Sequence, residues 1–218
     1  TFTPQEVPAL EPAFPDFEPA FESAFDVVDF DWVDVSRARP VPARLYWPAN
    51  VSSGRVPLIV FSHGMGGSRN GYTYLARRWA AQGVASLHVQ HIGSDSSLWL
   101  GNPFTVADRV QAATRDSEAA ARVGDLRFAL DRVLSKESGP HAGLVDRRRL
   151  VAAGYSYGAN TALLAVGARV IRNGRWLGFR DPRYSAAIVI SAPPFYGETD
   201  LAGVLAKITV PTLHVTAT

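Results

Sequence analysis

Residues 150–158 read LVAAGYSYG, an apolar run that passes directly into a serine flanked by two glycines. The run 150–153 predicts a buried strand, and residues 157–170 have the composition of a helix. A serine at the tip of a sharp strand-to-helix turn needs glycine two positions away on either side, because a Cβ there would clash where the backbones pass. The segment GYSYG at 154–158 therefore predicts a strained, exposed hydroxyl on Ser156, the position of a nucleophile.

A second glycine-rich segment, SHGMGG at 62–67, follows the apolar run 56–61. The tetrahedral intermediate of acyl transfer needs two backbone N–H donors, one from the residue after the nucleophile and one from such a loop. Tyr157 and Met65 are the predicted donors of this oxyanion hole. A phosphate-binding loop is the other interpretation of these glycines, but the lysine of G-x-x-x-x-G-K-[ST] is lacking.

The rest of the chain alternates strand and helix patterns. Residues 25–35 and 41–47 alternate apolar with polar side chains and predict a leading antiparallel hairpin. Further strands are predicted at 56–61, 84–89, 186–190 and 212–215, and helices at 72–82 and 107–134. Buried strands alternating with helices predict an α/β fold, with a mostly parallel central sheet covered by helices on both faces.

Composition limits the class of protein. With 218 residues, 47% of them hydrophobic, we expect one core domain over residues 25–218, preceded by an extended Pro-rich arm over residues 1–24. The net charge is only +2, which favours neither a nucleic acid nor a membrane surface as partner. Cysteine is absent, so disulfides, thiolate metal sites and a cysteine nucleophile are excluded.

No apolar stretch is long enough to predict a membrane span. The first residue is Thr1 rather than Met, which fits a processed, exported product or an arbitrary boundary. A secreted or periplasmic location is the favoured interpretation.

Four segments together resemble the α/β-hydrolase superfamily, and within it the dienelactone-hydrolase-like and platelet-activating-factor-acetylhydrolase-like esterases. They are the strand and loop 57–67, QHIGSD at 90–95, GYSYG at 154–158 and PTLHV at 211–215, and the resemblance covers about residues 41–218. It implies an α/β-hydrolase fold and a serine esterase that forms an acyl-enzyme on Ser156 from a small-molecule or lipid-like ester, without a metal or other cofactor. Dienelactone hydrolases use a cysteine nucleophile, so the serine favours ester hydrolysis over lactone chemistry.

In such families the triad Asp follows the strand that corresponds to 212–215, and the His lies later still. The resemblance therefore implies an Asp and a His beyond Thr218, on a C-terminal segment or second chain that completes a fold truncated after this strand. A substitute triad of Ser156, Asp200 and His214 is disfavoured, because a mid-strand histidine does not normally reach the turn. We expect His214 to be buried and hydrogen-bonded. The alternative function is a catalytically inactive binding module or fragment of the same fold.

Side chains at the carboxyl edge of the predicted sheet are candidates for substrate contacts, because the loops there line the site. These candidates are Gly64, His91, Asp95, Trp99, Phe104 and Tyr155. His63 is expected to brace the glycine-rich loop rather than to catalyse. A metal site formed by His88, His91 and Asp95 is disfavoured, because the two histidines should face opposite sides of a strand.

Overall fold

The computed structural model describes residues 25–49, 51, 54–135 and 141–216. The predicted arm, 1–24, lies outside these residues. The described residues form nine β-strands and five α-helices. In chain order they are β1 Phe25–Asp34, β2 Arg39–Pro48, β3 Val56–Ser62, α1 Thr73–Ala81, β4 Ala85–Val89, α2 Val106–Ala113, α3 Asp116–Leu134, β5 Val145–Tyr155, α4 Tyr157–Val166, β6 Arg169–Arg172, β7 Arg175–Gly178, β8 Ala186–Ile190, α5 Leu201–Leu205 and β9 Thr212–Val215.

Seven of these strands form one sheet in the order β1-β2-β4-β3-β5-β8-β9. β1 and β2 are an antiparallel hairpin, and β2 also pairs antiparallel with β4. The remaining pairs, from β4 through β3, β5 and β8 to β9, are all parallel. The predicted hairpin and mostly parallel sheet are confirmed.

Helices cover both faces of the sheet, as the residues of β3 illustrate. Leu58 and Val60 belong to the larger core cluster, to which α3 and α4 contribute most of the helical side chains. Ile59 and Phe61 belong to the smaller cluster on the opposite face, where Trp79 of α1 packs. Successive strand side chains point to opposite faces, so a strand buried on both sides reads as a continuous apolar run.

Two helix boundaries differ from the sequence prediction. The predicted helix 107–134 is two helices, because Arg115 between α2 and α3 has an extended backbone conformation, with φ −66° and ψ 151°. The predicted helix 157–170 ends at Val166, where Gly167 takes φ 128° and redirects the chain into β6. β6 and β7 form a hairpin that the sequence analysis missed, although Asn173 and Gly174 at its turn are a strong hairpin signal.

The expectation that His214 is buried is wrong. Its side chain is exposed, and its Nε2 lies 3.2 Å from the hydroxyl of Thr212. The reason is its strand: β9 is the outermost strand of the sheet within the described part of the chain, where Leu213 and Val215 are also exposed.

None of the helices in the described part of the chain combines the length and the apolar character that a membrane span requires.

The backbones of β3, β5 and α4 meet at two glycines. A Cβ added to Gly154 would lie 2.1 Å from the carbonyl oxygen of Gly158, and a Cβ added to Gly158 would lie 2.0 Å from that of Ser62. Such separations are far inside van der Waals contact and involve backbone atoms, which cannot rotate away as a side chain does. Glycine at both positions is therefore a packing requirement of the fold.

We expect Gly158→Ala to lower the free energy of unfolding by about 1–3 kcal/mol or more, because the new methyl group must displace β3 from α4. Urea unfolding of the purified variant measures this loss. Gly143→Ala is the matched control, since a Cβ at Gly143 meets no atom within 4 Å. Equal stability of the two variants would contradict the close packing at Gly158.

Candidate active site

Ser156 occupies the turn between β5 and α4 in a conformation that residues with a Cβ rarely adopt. Its backbone angles are φ 51° and ψ −120°. Its amide donates to the carbonyl of Ile190 at 2.9 Å, and its own carbonyl accepts from the amide of Ala159 at 2.8 Å. Backbone strain of this kind costs on the order of 1–3 kcal/mol and persists only where the surroundings enforce it. The strained serine at a strand-to-helix turn is the geometry predicted from GYSYG.

A cavity of about 560 Å³ opens beside this turn. Ser156, Tyr157 and Met65 all line it, so the structure brings together the predicted nucleophile and both predicted oxyanion donors. Most of the remaining wall is apolar. It comprises Thr114, Asp116, Ser117, Ala119, Ala120, Asn160, Leu164, Val170, Arg172, Leu177, Phe179, Pro193, Phe195 and Tyr196.

The loop 62–67 lies directly against the serine turn. A Cβ added to Gly64 would be 3.1 Å from the ring of Tyr155 and 3.4 Å from the Cβ of Ser156. Backbone hydrogen bonds hold the loop. The Gly67 amide donates to the Gly64 carbonyl at 3.1 Å within it, and the Gly66 amide donates to the carbonyl of Ser94, in the loop after β4, at 2.9 Å.

His63 braces this loop from its buried side. Its Nδ1 donates to the carbonyl of Gly64 at 2.6 Å, and its Nε2 accepts from the amide of His91 at 3.0 Å. Burial, together with the positive charge of Arg122, holds the pKa of His63 well below its usual range. The imidazole is therefore neutral, with its proton on Nδ1, as these two hydrogen bonds require.

Behind the loop lies a buried polar cluster that the sequence analysis missed. Ser62, His91 and Asp125 form a hydrogen-bonded chain, with 2.9 Å between Ser62 Oγ and His91 Nε2 and 3.0 Å between His91 Nδ1 and Asp125 Oδ2. The order is that of a catalytic triad. However, Ser62 and His91 are completely inaccessible to solvent, and none of the three lines the cavity. These three hydrogen-bonded side chains therefore belong to the buried interior and have a structural role.

None of the predicted substrate-contact residues is among those that line the cavity. His91 is buried, and Asp95 is held by Gln90 and Ser97. Trp99 is half exposed and donates from its indole to the carbonyl of Gly66 at 3.2 Å. Gly64, Tyr155 and the exposed Phe104 are likewise not among the residues that line it.

Two other predictions concern residues away from the turn. Asp200 caps α5 by accepting from the amide of Gly203 at 2.8 Å, and neither Asp200 nor His214 lines the cavity. Within residues 25–49, 51, 54–135 and 141–216, no group of three His, Asp or Glu side chains is arranged to hold a metal ion.

Comparisons with known proteins relate this geometry to known families. A family model described as platelet-activating factor acetylhydrolase, isoform II, matches residues 39–116. The chain is similar to a dienelactone hydrolase-like promiscuous phosphotriesterase from metagenomic libraries, with a TM-score of 0.59 and 20% identity over 88% of this chain and 68% of that one. It is also similar to a ferulic acid esterase from Streptomyces cinnamoneus, with a TM-score of 0.61 and 22% identity over 91% of this chain and 74% of that one. No curated protein sequence matches the chain.

The chain has the α/β-hydrolase fold, as predicted. Both resemblances noted from the sequence are also confirmed, because the matches include an acetylhydrolase family model and a dienelactone hydrolase-like structure. The acetylhydrolase match includes the loop 62–67 but ends before Ser156. The acetylhydrolase family match agrees with the prediction of a carboxylic-ester hydrolase.

Buried imidazoles make the stability of this fold sensitive to acid. Burial lowers the pKa of His88 to about 3, and it holds the pKa values of His63 and His91 well below their usual range. The unfolded chain, with imidazole pKa values near 6.5, therefore binds more protons than the folded protein as the pH falls. We expect the free energy of unfolding to fall by about 1 kcal/mol per buried imidazole between pH 6.5 and 5.5.

Urea unfolding at these two pH values tests the expectation. His88→Gln, which removes one of the three imidazoles, should reduce the pH dependence by about a third. A stability that does not change between pH 6.5 and 5.5 would show that the three imidazoles are not held neutral.

Proposed function

We propose that this protein hydrolyses carboxylic esters through an acyl-enzyme on Ser156. The observation that carries the proposal is the shared cavity, which is lined by the strained Ser156 and by both residues proposed to stabilise the oxyanion, Met65 and Tyr157. The acetylhydrolase family match and the likeness to a ferulic acid esterase support the reaction class.

In the proposed reaction, the Ser156 hydroxyl oxygen attacks the ester carbonyl carbon while its proton passes to a general base. Collapse of the tetrahedral intermediate breaks the bond to the alcohol oxygen, which leaves with that proton. Water then attacks the acyl carbon while the general base takes one of its protons, the bond to the serine oxygen breaks to release the carboxylic acid, and that proton passes to Ser156. The protein's contribution is to position the nucleophile and to stabilise the negative charge that develops on the carbonyl oxygen.

The two proposed donors are well suited to that charge. Tyr157 is the first residue of α4, and the first N–H groups of a helix have no partner inside it. The positive end of the helix dipole also lies there. Met65 lies in the loop that abuts the serine turn through Gly64. One donor of this kind is worth about 2.7–4 kcal/mol of transition-state stabilisation.

The wall of the cavity suggests where the apolar part of an ester binds. Leu164, Phe179 and Phe195 form part of a largely apolar lining. Arg172 also lines the cavity, but its charge is balanced by ion pairs with Asp116 and Glu198, both at 2.6 Å. We propose that this region accommodates an uncharged acyl or alcohol group, because a paired guanidinium attracts an anion weakly.

The general base is the part of the proposed mechanism that the described residues leave unassigned. The chain has five histidines, and none is hydrogen-bonded to Ser156 within residues 25–49, 51, 54–135 and 141–216. The Asp and His that the family resemblance places beyond Thr218 stay a prediction. A catalytically inactive binding module of this fold would retain the cavity without turnover.

A fluorophosphonate probe should label the active protein at Ser156, because only an activated hydroxyl reacts at a useful rate. Ser156→Ala should abolish labelling and lower kcat for nitrophenyl esters by about 10⁶-fold, since loss of the nucleophile disables the catalytic unit as a whole. Peptide mapping identifies the labelled serine, and a panel of acyl chains from short to long defines the substrate range. Labelling at another serine would refute the assignment, and absence of both labelling and turnover would favour the binding module.

Gly64→Val should depress kcat more than it raises KM. The added side chain must push the loop away from Tyr155 and Ser156, and an oxyanion donor acts mainly in the transition state. Steady-state kinetics on a nitrophenyl ester separate the two constants. Gly71→Val is the matched control, because a Cβ at Gly71 meets only the Ser68 carbonyl at 3.4 Å. A change in KM alone would make the loop a binding surface.

A further inference from the structure

Arg122 of α3 is a completely buried guanidinium that contacts both halves of the proposed active site. On one side, Nη2 donates to the hydroxyl of Ser62 at 3.0 Å and to the carbonyl of His63, at the start of the loop 62–67. On the other, Nε donates to the hydroxyl of Thr161 at 3.0 Å. The guanidinium also lies over the ring of Tyr157, 4.5 Å from its centroid.

Two contacts of the guanidinium lead, through one further hydrogen bond each, to Tyr157 and to Gly66, the neighbour of Met65. The hydroxyl of Thr161 donates to the carbonyl of Tyr157 at 3.1 Å. Nη1 of Arg122 donates to the hydroxyl of Ser94 at 2.7 Å, and the carbonyl of Ser94 accepts from the amide of Gly66 at 2.9 Å. The planar guanidinium of Arg122 is therefore connected to Tyr157, which follows the nucleophile, and to Gly66, which follows Met65.

Two acidic side chains, Glu118 and Asp125, lie near the buried guanidinium and favour its charged form. Ser94 donates from its hydroxyl to Glu118 at 2.8 Å, and the chain through Ser62 and His91 ends on Asp125. Arg39 joins these two carboxylates, at 3.2 Å from Glu118 and 2.9 Å from Asp125. The guanidinium is stabilised by hydrogen bonds to four neutral oxygens and, at longer range, by the negative charges of Glu118 and Asp125.

We infer that Arg122 is a positioning residue of the proposed esterase, which holds the Met65 and Tyr157 amides in a fixed relation to Ser156. The inference rests on the proposed function. Arginine is suited to the role because its planar fork presents up to five donors in fixed directions, whereas lysine offers one flexible point charge. Displacement of a catalytic group by about 1 Å lowers the rate by about 10²-fold, so a loosened fork should act on turnover rather than on binding.

Kinetics of Arg122→Lys and Arg122→Met on p-nitrophenyl acetate test the inference, using the active full-length protein at a temperature where circular dichroism shows each variant to be folded. We expect kcat to fall at least about tenfold for Lys and about 10²-fold for Met, with KM changed less than about threefold. Combining Arg122→Lys with Gly64→Val should cost less than the product of the single effects, because both disturb the same donors.

Two further variants separate positioning from general stability. Val133→Ala, a buried truncation eleven residues along α3 and therefore about 16 Å away, should lower the melting temperature yet keep kcat. If both Arg122 variants fail to fold, Thr161→Val removes one acceptor of the fork and the bond to Tyr157, and should lower kcat. Thr161→Ser, which keeps the hydroxyl, should restore it.

Unchanged kcat in folded Arg122→Lys and Thr161→Val, or additive effects with Gly64→Val, would overturn the inference while leaving the esterase intact. An equal loss of kcat in Val133→Ala would assign the effect to stability and overturn it as well. If the wild-type protein neither turns over the ester nor reacts with a fluorophosphonate, the proposed function fails and the inference fails with it.

Discussion

The buried guanidinium of Arg122 is the interaction on which the carboxyl edge of the sheet depends. A charge without access to solvent requires acceptors around it, and the fold supplies them from the end of β3, from the loop after β4 and from α4. Each of these segments is joined to the others through the same group. The segments next to the cavity are therefore linked to one another through one guanidinium as well as through their own backbone hydrogen bonds.

The charge balance of this cluster also explains its tightness. Arg39 and Arg37 both pair with Asp125, whose side chain is inaccessible to solvent. Burial raises the pKa of Asp125, while these arginines oppose that shift by favouring the carboxylate. Removal of one partner from such a buried pair typically costs about 3–5 kcal/mol, because an uncompensated charge is left behind. Displacement of any one of these charged groups is therefore costly, and this cost keeps the side chains of the cluster in fixed positions.

Backbone packing supplies the second constraint. Gly154 and Gly158 allow β5 and α4 to pass within contact of each other and of β3, which holds Ser156 in its strained conformation. The strain is local, whereas the contacts that maintain it come from three elements. The proposed nucleophile at this turn, beside the proposed donors, has the fixed arrangement that electrostatic preorganisation requires.

The sequence by itself determined the parallel sheet and the strand-turn-helix setting of Ser156, because apolar runs, glycine spacing and helical periodicity are local signals. Only the tertiary structure decided which distant side chains meet. In the sequence, Arg122 is one more polar residue of a charged helix, yet in the structure it joins the loop 62–67 to the loop after β4. Phe195 belongs to a loop in the sequence, yet in the structure it lines the cavity. His214 was misjudged for the same reason, since the layers that pack on a strand are set by its place in the sheet rather than by its neighbours in the chain.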